Sequence, residues 1–143
     1  MNSSFWWPMT PTHTLDTAPD DIEVLLVPGG LGSIYPDVKP HVEFIKTKYS
    51  KLRYLLSVFT ASGVLALSRV LDGRSATTNK EAQGLVTAMG EDVLCRSPAR
   101  WVVYGNIWSS SGVSFFLPHP FTFFLFCGWQ MLIKGSRSPL ART

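Results

Sequence analysis

The stretch RYLLSVFTASGVLALSRVLDGRSATT, Arg53 to Thr78, decides the fold. It opens on a short apolar run, Tyr54-Leu55-Leu56-Ser57-Val58, the pattern of a strand buried on both faces as in a parallel sheet. The run gives way at Phe59-Thr60-Ala61-Ser62-Gly63 to small residues that lead into a helical pattern. Val64, Leu65, Leu67, Val70 and Leu71 fall at spacings that share one side of that helix. Asp72-Gly73 supplies the turn that ends it, and Ala76-Thr77-Thr78 begins the next strand. A strand, a tight turn of small residues and a helix form a nucleophile elbow. The turn residue is then held at the carboxyl end of the sheet, beside helix amides that favour an anion. Such a turn calls for Cys or Ser at its reactive position, and this chain has Phe59 there.

SVFTASGVLALSRVLDGRSATTNK resembles the nucleophile segment of the ThiJ/PfpI family, a branch of the class I glutamine amidotransferase-like superfamily. The family pattern is S-V-C-T-G-x, a helix, then L-D-G-R-x-A-T-T. Two further blocks agree in order and spacing. Asp21 to Gly32, DIEVLLVPGGLG, resembles the strand and glycine turn that precede the elbow. Trp101 to Ser114, WVVYGNIWSSSGVS, resembles the late hairpin, and the subgroup most similar is the isocyanide hydratase-like one. The resemblance spans about Pro11 to Ser114, and three ordered blocks are far more specific than one glycine motif.

A chain of 143 residues suffices for one domain, and 45% hydrophobic against 16% charged residues allows a buried core. The net charge of +3 comes from scattered basic residues, which argues against a nucleic-acid surface. Cys95 and Cys127 have no metal or redox spacing and fit a reduced, cytoplasmic chain. MNSSFWWPMTPT has neither a cationic n-region nor a long apolar run, so it does not read as a secretory signal. No cofactor or metal is implied.

In order, Met1 to Asp20 reads as an irregular lead-in with a short edge strand near Thr12 to Leu15. Ile22 to Val27 is a β-branched apolar strand. Pro28-Gly29-Gly30 is a turn that brings bare backbone close to whatever lies above the sheet: one wall of an oxyanion hole, or an ordinary strand-to-helix turn. Val38 to Tyr49 reads as a helix with Val42, Phe44, Ile45 and Tyr49 inward and Lys46 and Lys48 outward, followed by Lys51. After the elbow, Asn79 is an N-cap for a helix from Lys80 to Met89, with Glu81 in its first turn. Val93 to Cys95, Trp101 to Tyr104 and Ile107-Trp108 read as strands, the last two joined at Gly105-Asn106. The expected fold is therefore α/β, a flavodoxin-like three-layer sandwich with a mostly parallel sheet, incomplete relative to the family.

Met1 to Ser114 reads as a partial family domain and Phe115 to Thr143 as a divergent tail. Six phenylalanines lie between Phe115 and Phe126, with Pro118 and Pro120 among them, and a polar, basic end follows. A membrane span needs about 20 apolar residues, which this segment lacks. The family continues G-V-S-A-G-I-D into a long helix, so the tail suggests a frame change, a retained intron or an alternative splice product, cut first by protease after Ser114. The resemblance also implies a first strand and helix before Pro11 that carry an acidic partner of the reactive cysteine; no residue here matches it.

What the resemblance implies is thiolate chemistry: an elbow cysteine with lowered pKa, an orienting acid, and backbone amides for the oxyanion. With Phe59 at the nucleophile position and no acid, Gly29, Gly30, Thr60 and Ala61 are what is left of the pocket, open to a small-molecule ligand. The reading is a catalytically impaired family member, or alternatively a non-enzymatic binding or regulatory protein or a truncated product without function. A second alternative is a hydratase or amidotransferase-like enzyme using another residue. Its hydroxyls would be Ser57, Thr60 or Ser62, but His13, His41 and His119 lie in no matching motif. Asn106, Ser109 and Ser110 lie in the late hairpin, and Cys95 reads as a small buried hydrophobe. The family's homodimer is in doubt here without the first strand.

Overall fold

The computed structural model describes residues 10–30, 33 and 36–112. The tail from Phe115, with His119 and Cys127, lies outside these residues. Four strands form the main sheet in the order β1, β2, β6, β5. β1 (Val24–Val27) runs parallel to β2 (Tyr54–Val58), with Val24 opposite Tyr54. β2 runs parallel to β6 (Ile107–Ser110), with Leu55 opposite Ile107. β5 (Trp101–Tyr104) is antiparallel to β6. β3 (Ser75–Ala76) and β4 (Leu94–Cys95) form a separate parallel pair. The helices are α1 (Lys39–Lys48), α2 (Ala61–Leu67) and α3 (Gln83–Met89). This is the mostly parallel α/β architecture that the alternation of elements predicts.

β2 is central, so its apolar run has a direct physical reading. Leu55, Leu56 and Ser57 are at most 2% exposed, which is burial on both faces. Side chains alternate across the sheet, so register pairs form rows. Leu25, Leu55, Ile107 and Tyr104 make one row, and Leu26, Leu56, Trp108 and Val103 make the next, on the opposite face. α2 lies over the Leu55 face, where the core joins Leu55 and Ile107 to Val64 and Leu65 of α2, Val42 and Ile45 of α1, and Val86 of α3. Each such side chain contributes about 1.5–3 kcal/mol when fully removed from water.

Several boundaries differ from the sequence-based expectation. α2 ends at Leu67, not Leu71. The Ser68 amide and hydroxyl close the last turn on Val64 and Leu65, and Arg69 turns left-handed at φ +67. The Arg69 guanidinium is then bound by Asp72 at 2.9 Å and by Glu91. Val70 and Leu71 remain buried outside the helix, so their periodicity reflects packing and not helical continuation. β3 stops at Ala76 because the Thr77 amide leaves the ladder and donates to Ser109 Oγ. Thr12 to Leu15 is no strand: Thr14 and Thr17 exchange amide-to-hydroxyl bonds in a turn. The helix expected from Lys80 starts as a 3-10 turn over Lys80–Ala82, capped by Asn79 Oδ1, which accepts from the Glu81 amide at 3.0 Å. Phe44 and Tyr49 are only partly buried on the face expected to be inward.

Candidate functional site

The elbow is built from the end of β2. Val58 is the last strand residue, Phe59 has φ +61, and Thr60, at φ −73, opens α2. A bulky residue at positive φ is a genuine outlier and costs about 1–2 kcal/mol. Neighbours fix it in place. The Phe59 amide donates to the Ser110 carbonyl at 2.9 Å, and the Phe59 carbonyl accepts from Thr78 Oγ1 at 2.9 Å. The amides of Thr60 and Ala61 belong to the first turn of α2, where N–H groups have no intrahelical acceptor.

The Gly29-Gly30 turn packs directly on this elbow. A Cβ at Gly29 would lie 2.4 Å from the Val58 carbonyl oxygen and 2.7 Å from the Thr60 nitrogen, so only glycine fits. Gly30 has φ +150, a backbone state reserved for glycine. Gly29, Gly30, Phe59, Thr60 and Ala61 thus lie together at the elbow. The Gly30 amide is engaged, however: it donates to Thr60 Oγ1 at 2.9 Å, and Thr60 Oγ1 lies 3.1 Å from the Gly30 carbonyl oxygen. Ser33, buried at 8% exposure, places its hydroxyl 2.7 Å from both Thr60 Oγ1 and the Gly30 carbonyl oxygen.

The other hydroxyls proposed from sequence form a structural seam. Ser62 Oγ donates to the Thr77 carbonyl at 2.7 Å and lies 3.1 Å from Ser57 Oγ. Ser109 Oγ accepts from the Thr77 amide at 2.9 Å and donates to the Val102 carbonyl at 3.3 Å. Their hydrogen-bond partners among the described residues are hydroxyls and backbone, with no general base. His13 and His41 are exposed, His13 with Thr12 as its partner. Asn106 lies at the opposite, amino end of β6, bonded to the Tyr49 hydroxyl and the Leu52 carbonyl. Cys95 is less buried than a core hydrophobe; desolvation still pushes its thiol pKa up, opposed in part by a Thr87 hydrogen bond. Ser33 and Thr78 were not singled out from sequence. Ser33 follows one motif that was, the glycine turn, and Thr78 ends the other, the Ala-Thr-Thr run.

A family model described as the DJ-1/PfpI family matches residues 7–117. The chain belongs to the DJ-1/PfpI family. It is 30% identical over 116 residues to the isonitrile hydratase of Pseudomonas putida, across 80% of this chain and 49% of that protein. Isonitrile and isocyanide are the same functional group, so the subgroup agrees with the motif reading. The fold matches a ThiJ/PfpI family protein from Bacillus anthracis with a TM-score of 0.63 and 22% identity, over 74% of this chain and 51% of that one. It also matches a ThiJ/PfpI protein from Pseudomonas syringae with a TM-score of 0.62 and 20% identity, over 93% and 58%. The chain spans about half the length of these DJ-1/PfpI relatives. Among the described residues, no helix is long and apolar enough to cross a membrane.

Proposed function

We propose that this DJ-1/PfpI protein is an isonitrile hydratase-like chain without cysteine catalysis, a cytoplasmic binder of a small molecule over its elbow. The observation that carries this reading is Phe59 at φ +61, in the strained turn position that the family resemblance assigns to the nucleophile. An aromatic ring offers no lone pair for attack. The hydroxyls nearby are committed to backbone and to one another, with no base beside them among the described residues. The surviving parts are backbone: the Gly29-Gly30 turn and the start of α2. They are donors for an acceptor oxygen, the Gly30 amide only once it is released from Thr60. Homodimerisation through the family interface is not part of this proposal.

The test is turnover by the unmodified full chain with a small alkyl isonitrile, followed by NMR for the N-substituted formamide that addition of water gives. The expected result is a rate indistinguishable from buffer. A saturable rate that survives removal of Cys95 and Cys127 would overturn the proposal, since it would require an activated hydroxyl.

A further inference from the structure

The Thr60 hydroxyl occupies the Gly30 amide of the glycine turn. It accepts from the Gly30 N–H at 2.9 Å and returns its own proton to the Gly30 carbonyl at 3.1 Å. Ser33 closes the ring, with its hydroxyl 2.7 Å from both oxygens and its amide 3.1 Å from the Gly30 carbonyl. Every polar group of this ring is therefore paired inside the protein, across 30 residues of chain. Gly29 is pressed against Val58 and Thr60, so the turn has no room to shift toward the elbow.

We infer that Thr60 caps the pocket from within: its hydroxyl oxygen stands where a ligand's carbonyl or carboxylate oxygen would accept the Gly30 N–H. This rests on the reading of the elbow as a ligand pocket and adds what controls entry to it. A ligand oxygen reaches that amide only by displacing the Thr60 hydroxyl, which gives up its bonds to the Gly30 amide and carbonyl, while the carbonyl keeps Ser33. Giving up a satisfied hydrogen bond is unfavourable, so the cap sets a threshold that weak acceptors do not cross. The Thr60 side chain thereby becomes the determinant of which oxygens bind.

The test follows the Gly30 amide of the 15N-labelled full chain by NMR, with acetate as the probe. In the unmodified chain the amide should be protected from solvent exchange and its resonance unmoved by acetate. Thr60→Val keeps the shape and removes the hydroxyl; its Gly30 amide should exchange about tenfold faster and shift saturably with acetate. Thr60→Ser, which retains the hydroxyl, should behave as the unmodified chain. Equal exchange in the unmodified and Thr60→Val chains overturns the inference, as does an acetate shift of equal midpoint in both. If Thr60→Val does not fold, the unmodified chain still decides: an unprotected Gly30 amide sinks the cap. These outcomes are independent of turnover, so the cap can fail while the proposed function stands, and the reverse.

Discussion

Ser62 Oγ, on the first turn of α2, donates to the Thr77 carbonyl across 2.7 Å while lying 3.1 Å from Ser57 Oγ. One hydroxyl thus ties the elbow helix to the chain segment beyond it and to the strand before it. Ser57 and Ser62 are both fully buried. A buried hydroxyl is tolerated only when paired, and removing one partner strands the other. Ser62→Ala should therefore destabilise by about 1–3 kcal/mol, whereas Ser57→Ala, which leaves the Ser62–Thr77 bond intact, should cost less. Denaturant melts of the two variants check the order; a Ser57→Ala loss as large as that of Ser62→Ala contradicts it.

Phe59 gives a second test through backbone strain. At an ordinary position Ala is more stable than Gly by about 0.5–1 kcal/mol, because glycine loses more freedom on folding. At φ +61 the order should invert, since Ala keeps the left-handed penalty of about 1–2 kcal/mol and Gly does not. Phe59→Gly should melt above Phe59→Ala, both lacking the ring. The usual order at this position would mean that the turn is not held left-handed in solution.

Much of this site is legible in the sequence, and the illegible part has a physical cause. The apolar run Tyr54–Val58 followed by small residues could fold only as a buried strand entering a tight turn, and Asn79 behaves as the cap its side chain predicts. The end of α2 was not legible. Val70 and Leu71 keep helical spacing because the core lies on that side, while Arg69 breaks the helix with a conformation that no property of arginine announces. Nor was the use of Thr60. A hydroxyl at a turn reads as a candidate for chemistry, and only the approach of Gly30 and Ser33 from far along the chain shows it bonded instead.

Cys95 carries a pH prediction. Burial raises its thiol pKa above the ordinary value, so the folded state holds that proton more tightly than the unfolded state. Its contribution to stability is complete below the unfolded thiol pKa and is lost as pH rises through the folded one. Stability should thus decline on the alkaline side of the ordinary thiol range, about pH 8.5, and Cys95→Ser should flatten that decline. A steeper alkaline loss in Cys95→Ser would show that another group dominates.

Restoring the nucleophile alone should not restore the enzyme. Phe59→Cys places a thiol at the strained turn, beside the first amides of α2, which favour a thiolate. Its pKa should fall, but only in part, because the Gly30 amide across the turn is already bonded to Thr60. The variant should be alkylated by iodoacetamide faster than Cys95, whose thiol is shifted the other way. Turnover of an isonitrile should nevertheless stay near background, since groups that act as a unit lose nearly everything when one is missing. Alkylation rate against pH and formamide yield, measured on the same preparation, separate the two effects. A fast thiol with slow turnover fits the half-built site. Efficient turnover from Phe59→Cys would mean that the backbone alone positions the thiolate, and that a single residue stands between this chain and activity.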